Sequence, residues 1–312
     1  MRARLCLLLL LPLSTVASAT AVTGADVLKT RPSARAAALG EAYTALGDDL
    51  PVMAYNPAGL ALLKGPSLSF LHFTEIAGVS LENISYGHPL PFGTLAAGIV
   101  FRNQPDIANP LALDAPVSAW DLVITASYAV RPGLWLTQLP DRLLNADVGV
   151  NIKYVRSHLS RFDADSVAAD VGLRSDLGEG LIGGVSLLNI GPPVKFIDVA
   201  DPLPATLLLG ISRGFDPLFG NQLALALDME APLQGNLRLH FGGEDWLGKG
   251  FALRAGYLLD NGDSLNGFTA GFGIRLNQEG LLFDLDYALR PYYYAGFSSF
   301  EPQHLFQITL VF

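Results

Sequence analysis

Residues 147–155 read DVGVNIKYV, and the fold turns on how this stretch is taken. Val148, Val150, Ile152 and Tyr154 share one parity, while Asp147, Gly149, Asn151 and Lys153 share the other. Side chains on a strand alternate sides, so the segment is a strand with one apolar and one polar face. The same alternation recurs downstream. QLALALDME sets Leu223, Leu225, Leu227 and Met229 against Ala224, Ala226, Asp228 and Glu230, and NLRLHFGGE sets Leu237, Leu239 and Phe241 against Arg238, His240 and Glu244. Phe251, Leu253, Ala255 and Tyr257 oppose Arg254 and Gly256, and Phe268, Ala270, Phe272 and Ile274 oppose Gly271, Gly273 and Arg275. Phe283, Leu285, Tyr287 and Leu289 oppose Asp284 and Asp286, with Arg290 beyond them. The chain ends FQITLVF, placing Phe306, Ile308, Leu310 and Phe312 on one face.

A soluble sandwich shares this pattern. Three features favour an all-β transmembrane barrel of outer-membrane type instead. The apolar faces are aromatic-rich near strand ends, where interfacial girdles lie. The opposite faces carry glycine and charges of both signs, as a wet lumen would. The stripes run for nearly ten residues, the length a tilted membrane strand needs. Half of the residues are hydrophobic, yet beyond residue 19 no eighteen apolar residues run together, which excludes a helical span. Counting segments gives about fourteen antiparallel strands over residues 66–312, with broken phase near residues 82–88 and 183–190. Short links (89–93, 177–180, 277–280) alternate with long ones (103–116, 191–204, 290–303), as periplasmic turns alternate with external loops. The link 131–145, with Trp135, is a longer one on the periplasmic side.

The N-terminus sets the compartment. Arg2 and Arg4 precede an apolar run that ends at Val16, and Ala17-Ser18-Ala19 offers a cleavage site, so residues 1–19 read as a secretory signal peptide. The single cysteine, Cys6, lies within it, which leaves the exported chain without a disulfide or thiol chemistry. Losing Arg2 and Arg4 takes the 20 basic residues to 18 against 29 acidic ones, a formal charge of −11. Such a chain is unsuited to nucleic acid. The expected location is the outer membrane, with its lipid as the surrounding partner.

Between residues 20 and 65 the period changes. Residues 33–49, SARAAALGEAYTALGDD, are Ala-rich and helix-prone, with Ser33 as N-cap and Gly40 and Gly47 as weak points. The segment is too weakly amphipathic to stand alone, so a plug inside the barrel mouth is expected. Its candidate residues are Ser33, Arg35, Leu39, Gly40, Tyr43, Asp48 and Asp49. Asn56-Pro57-Ala58-Gly59 carries strong turn chemistry, with Gly59 suited to left-handed angles. It is the expected joint between plug and first strand, near Ser67.

The stretch RPSARAAALGEAYTALGDDLPVMAYNPAGLALL closely resembles the N-terminal signature of the PorV/PorQ family, outer-membrane barrels of FadL-like type. The resemblance resumes in NIGPPVKFIDVADPLPATLLLGISR, DWLGKGFALRAGY and FDLDYAL. It implies a fourteen-stranded barrel with an N-terminal hatch. It also implies one of two functions: passage of hydrophobic molecules across the outer membrane, or a type IX secretion role that binds exported proteins. The terminal Phe312, with Phe306, Ile308 and Leu310, resembles the signal read by the barrel-assembly machinery.

Other motifs are read against their plainer alternatives. GEGLIGG at 178–184 matches a dinucleotide fingerprint but lies between two strands, so a glycine turn is expected. GISRG at 210–214 matches a nucleophile elbow, yet Ser212 ends an alternating strand rather than a strand-to-helix turn. A lipase-like barrel is the remote alternative; the expectation is no enzyme. His72, His88, His158, His240 and His304 include no i, i+4 pair, and NGDSLNG at 261–267 lacks the terminal Glu of a calcium loop, so no metal or cofactor is expected. The inward charges Asp228, Glu230, Arg238, His240, Glu244, Arg254, Arg275, Asp284, Asp286 and Arg290 read as a cross-strand ladder hydrating the lumen, or more sharply as a polar path for a solute. Tyr292, Tyr293, Tyr294, Phe297 and Phe300 read as a packed loop cap or as a docking surface for an apolar ligand or partner protein.

Overall fold

The computed structural model describes residues 23–75, 78–107, 117–134, 146–215, 221–260, 267–292 and 301–312. The expected signal peptide, Trp135, the tip of the 261–267 loop and Tyr293, Tyr294, Phe297 and Phe300 lie outside these residues, as does the side chain of Tyr292. Fourteen strands form one closed antiparallel barrel. They are β1 (Ser67–Thr74), β2 (Ser80–Leu90), β3 (Gly93–Ile107), β4 (Val117–Val130), β5 (Ala146–Leu159), β6 (Phe162–Gly178) and β7 (Leu181–Ile190). The second half comprises β8 (Thr206–Phe215), β9 (Gln222–Pro232), β10 (Arg238–Leu247), β11 (Phe251–Asp260), β12 (Gly267–Gln278), β13 (Leu281–Tyr292) and β14 (Glu301–Val311). Each strand pairs with its sequence neighbour, and β14 closes on β1 with Ser67 opposite Val311. Closure removes the free sheet edges that lipid would leave unsatisfied.

The alternation is realised as expected. Ile152, Val167, Leu225, Leu253 and Phe306 are exposed on the outside, whereas Asn151, Lys153, Asp170, Asp228 and Gln307 are buried inside. Two turns on the rim that carries the C-terminus are tight. Glu179-Gly180 and Glu279-Gly280 hold φ values of 55° and 73°, and 52° and 92°, the left-handed pair a two-residue hairpin requires. The opposite rim is less uniform than the loop lengths suggest, because β5 and β6 are joined there by Ser160-Arg161 alone. The long 191–205 link carries a small ladder, Val194–Lys195 with Ala200–Asp201. The phase break at 82–88 is one of polarity only. Glu82 faces outward and meets the outward His72 at 2.7 Å. At 183–190 the irregularity is real, with Asn189 at φ 59° beside a register shift in β6.

The apolar core lies inside the barrel. Leu39, Tyr43, Leu50, Tyr55 and Leu60 of the N-terminal segment are fully buried within the lumen. The Ala-rich stretch is less helical than its composition suggests, since α1 spans only Ala34–Ala38. Ser33 caps it, accepting from the Ala36 amide at 3.1 Å. Gly40 ends it at φ 64°, as Glu41 N–H reaches Ala36 O and Gly40 N–H reaches Ala37 O, a Schellman closure.

The tetrapeptide at 56–59 is not the joint to the barrel. Asn56 caps a 3-10 helix, Pro57–Leu62, accepting from the Ala58 amide at 3.2 Å, and residues 63–66 deliver the chain to β1. Gly59 does not take a left-handed angle. It is small because a Cβ there would stand 2.7 Å from Val52 Cγ2 and 2.8 Å from Gly47 O.

The outward face is tested by Leu225→Arg, which points a charge at lipid. Leu225 lies near the periplasmic end of β9, so reversible folding into bilayers should lose about 1 kcal/mol, while Leu225→Phe should stay near wild type. Equal stability of the two variants would mean that the assigned face is wrong. The inward Ala226 is itself buried beneath the plug, so arginine there is no innocuous control.

Candidate functional site

The plug lies directly on the wall, and inward glycines make room for it. A Cβ on Gly149 would stand 2.2 Å from the Pro57 carbonyl carbon, and one on Gly172 2.0 Å from Asn56 Oδ1. Gly184 would meet Thr44 O at 2.4 Å, Gly242 would meet Leu39 O at 2.6 Å, and Gly256 would meet Gly40 N at 2.1 Å. These five glycines come from β5, β6, β7, β10 and β11. The glycine-rich inner face therefore does not line a wet lumen. It is the seat of the plug backbone.

Polar wall residues then satisfy the plug's peptide groups. Asn151 Nδ2 donates to Met53 O at 2.8 Å, and Ser186 Oγ donates to Tyr55 O at 2.5 Å. Asp228 accepts from the amides of Tyr43 (2.8 Å) and Thr44 (2.7 Å). Asn56 Nδ2 donates both to Thr44 O at 2.9 Å and to Leu173 O at 3.0 Å, joining two plug segments to β6. Buried against the wall, an unpaired peptide group would cost the full desolvation penalty.

The inward charges pair across strands, and the pairing continues into the plug. Near the periplasmic rim, Arg35 grips Glu244 through two bonds of 2.8 and 2.7 Å and reaches Asp48 at 2.6 Å and Asp49 at 3.4 Å. Glu244 also accepts from Arg254 at 2.6 Å, and Arg254 reaches Asp286 at 2.6 Å. Arg275 and Asp284 pair through two bonds of 2.7 and 2.8 Å, with the Arg275 guanidinium 4.4 Å from the Trp246 ring centre. Toward the external rim, Arg31 pairs with Glu230, which also accepts from Arg238 at 3.1 Å and meets His240 Nε2 at 3.2 Å. His240 Nδ1 lies 2.7 Å from Gly40 O, and Arg290 reaches the plug's Glu41 at 2.8 Å.

Arg31, Glu41 and Tyr55 belong to the site although neither alternation nor turn chemistry singles them out; Tyr55 donates to Glu41 at 2.6 Å. Lys153, Asp170 and Asn189 form a third anchor, with Lys153 2.7 Å from Asp170 and 2.8 Å from Asn189. Their inward parity in β5 and β6 is a signal that could have found the first two. Burial pushes the Asp49 carboxyl up to about 6, with Arg35 pulling the other way and Asp48 adding to the rise.

Two cavities of about 50 Å³ each flank the segment 28–31. The deeper one is mostly apolar, between Val27, Leu28, Pro32 and Met53 of the plug and Val100, Val123 and Leu188 of the wall, with Asn83, Thr125 and Lys153 at its margin. The other lies toward the external rim, beside Pro204, Pro232, Gln234 and Arg238. Among the described residues no cluster of three or more metal-ligating side chains occurs.

The family described as "Uncharacterised protein family (UPF0164)" matches residues 19–98, the plug and the first strands. No curated protein matches in sequence. The barrel is shared with solved structures at low identity. These include the Ralstonia pickettii toluene transporter TbuX (12% identity, TM-score 0.59) and the CymD monoaromatic hydrocarbon channel (14%, TM-score 0.63). The Pseudomonas putida toluene transporter TodX is a third (13%, TM-score 0.58); in all three, 90% of this chain covers 97% of the other. The fold is thus a FadL-like membrane barrel.

The glycine seat makes two predictions. Gly172→Val and Gly59→Val should overpack the plug by roughly 1–3 kcal/mol while the strands still close. Trypsin should cut near Arg31 or Arg35 about ten times faster than in wild type, with heat-modifiability on gels retained; unchanged cleavage would refute the contact.

Asp49 adds a pH dependence. Its folded pKa lies above the ordinary carboxylate value, so the closed plug favours the protonated form, and stability present near pH 4 is lost as pH rises through about 6. Protection factors of the Tyr43 and Tyr55 amides should fall between pH 4.5 and 7.5 by roughly 1 kcal/mol relative to Asp49→Asn. Parallel curves for the two proteins would remove Asp49 from the account.

Proposed function

We propose that this outer-membrane barrel admits small hydrophobic molecules from the external side, with the N-terminal plug as its occluding element. The carrying observation is the pair of cavities on either side of segment 28–31, within a lumen that the plug occupies. The deeper cavity offers an apolar lining with a few polar groups at its edge, the usual make-up of a small-molecule site. The fold shared with a toluene transporter and a monoaromatic hydrocarbon channel supports the same class of solute.

The dividing segment is held less tightly than the deeper plug. Beyond the Arg31–Glu230 pair, the side-chain bonds that tie it to the wall and to the deeper plug are long: Thr30 to Glu75 at 3.3 Å, Tyr55 to Arg31 O at 3.3 Å and Asn189 to Leu28 O at 3.4 Å. A ligand entering beside Pro232 would displace this segment rather than the whole plug. The reading is non-enzymatic: Ser212 is buried within paired β8, which runs on to Phe215. Assembly would proceed through recognition of the C-terminal strand ending in Phe312.

The test uses a toluene-degrading host stripped of its own hydrocarbon channels. Wild type should restore growth on limiting toluene, and Val123→Trp, which fills the deeper cavity, should not, although both fold. Growth no better than with an empty vector would sink the proposal. Deleting residues 23–49 should raise planar-bilayer conductance, and wild-type conductance after deletion would mean that the segment is not the occluding element.

A further inference from the structure

The outer surface of the barrel carries a hollow that the proposed passage does not use. It spans β6 to β10, has a volume of about 520 Å³, and is lined by apolar side chains including Leu173, Leu177, Val185, Ile211 and Leu227. These side chains face lipid, several of them heavily exposed. The hollow exists because an outward position on β7 is Gly183. Across the ladder, Gly183 pairs with Ser175 on one side and with Ile211 on the other, so a row of bulky residues is interrupted by one with no side chain. The hydroxyl of Ser175 is the polar group in the lining.

One register step toward the periplasmic rim stands Arg213, paired with Leu181 and Leu225 and pointing outward on the same face. Its guanidinium lies 5.5 Å from the centre of the Phe215 ring, which holds it against the barrel surface at the end of β8. Among the described residues it has no carboxylate partner. The other outward strand arginine with a polar surround, Arg156, differs, since Asp163 and Asp165 lie 3.4 and 4.0 Å from it. A lipid-facing arginine is tolerated near the interface rather than at mid-depth, where it extends its head to the polar layer.

Cation and hollow are arranged in the order of a phospholipid molecule. The charge sits at interface level, and the apolar hollow begins one step above it and runs toward the bilayer centre. We infer that this face binds one anionic phospholipid of the periplasmic leaflet, its phosphate on Arg213 and an acyl chain over Gly183. A bidentate guanidinium–phosphate contact suits this guanidinium, which meets no carboxylate among the described residues. The chain fills a surface depression that mobile lipid would otherwise cover poorly.

Native mass spectrometry of the detergent-solubilised full chain tests this with phosphatidylglycerol as the probe and phosphatidylcholine as the comparison. Wild type should retain one phosphatidylglycerol and at least about fivefold less phosphatidylcholine. Arg213→Gln, which removes the charge, and Gly183→Leu, which fills the hollow against the movable Leu177 side chain, should each lower retention about fivefold or more. Arg213→Lys should keep most of it. Heat-modifiability on gels confirms that each variant is folded before its spectrum is read. Equal retention by all four proteins, or equal retention of the two lipids by wild type, would mean merely annular lipid and overturn the inference.

Discussion

The plug backbone touches the barrel wall at van der Waals distance or closer than any side chain would permit, and the rest of the structure follows from that contact. A fourteen-stranded barrel has a lumen too wide for its own side chains to fill. Water could occupy it, as in a porin, or chain could. Here chain occupies it, and the glycines at 149, 172, 184, 242 and 256 let backbone approach backbone. Peptide groups brought so near a wall need partners, and Asn151, Ser186 and Asp228 provide them. Small residues on the plug serve the same end. Ala34, Ala36, Ala37 and Ala38 are fully buried, so the helix they form is a spacer fitted to a narrow gap.

The charges obey the same geometry. Buried ion pairs contribute little net stability, because desolvation offsets their attraction, but breaking one leaves an expensive orphan. Their role here is registration. Arg35 can satisfy Glu244 and Asp48 together in only one seating of α1, and Glu41 meets Arg290 only when Gly40 and Glu41 take their left-handed angles. The wall supplies the opposite charge for Arg31, Arg35 and Glu41 of the plug, in Glu230, Glu244 and Arg290. A plug seated one step out of place would strand several charges at once.

Strand positions were legible because parity is a local property. Each residue between 147 and 155 declares its face from its two neighbours alone. What faces the inward side was not legible in this way. An inward Gly or Arg looks the same whether it borders water or another segment of chain a hundred residues away. Hence the glycines suggested a hydrated lumen, and Arg254 or Glu244 a solute path, although both complete their coordination on the wall and the plug. Asn56 misled for a related reason. Asn-Pro is turn chemistry, and it does begin a 3-10 helix, but its depth in the barrel depends on Leu173 and Thr44, which no local pattern names. Alanine content overstates the extent of α1, because one residue, Gly40, closes it.

This division of contacts also decides how an occluded barrel could open. Removing the whole plug would break the Arg35–Glu244 pair and strand Asp228 without its two amides, with each broken buried pair costing about 3–5 kcal/mol. Lost wall contacts for Asn56, Asn151 and Ser186 would add about 1 kcal/mol or more apiece. The total is of order 10 kcal/mol or above. A solute bound with micromolar affinity supplies about 8 kcal/mol in all, only part of which can be differential between two states. Whole-plug ejection by such a ligand is therefore out of reach. Displacing residues 28–31 is a smaller matter, since their side-chain hydrogen bonds to the wall and the deep plug are 3.3 Å or longer apart from the Arg31–Glu230 pair. Arg31 need not be orphaned in that movement, because Glu41 already lies 3.8 Å from it. Within the described plug, the opening movement that the proposed function requires therefore falls on residues 28–31, while the pairs made by Arg35, Asp228 and Asn151 hold the deep plug to the wall.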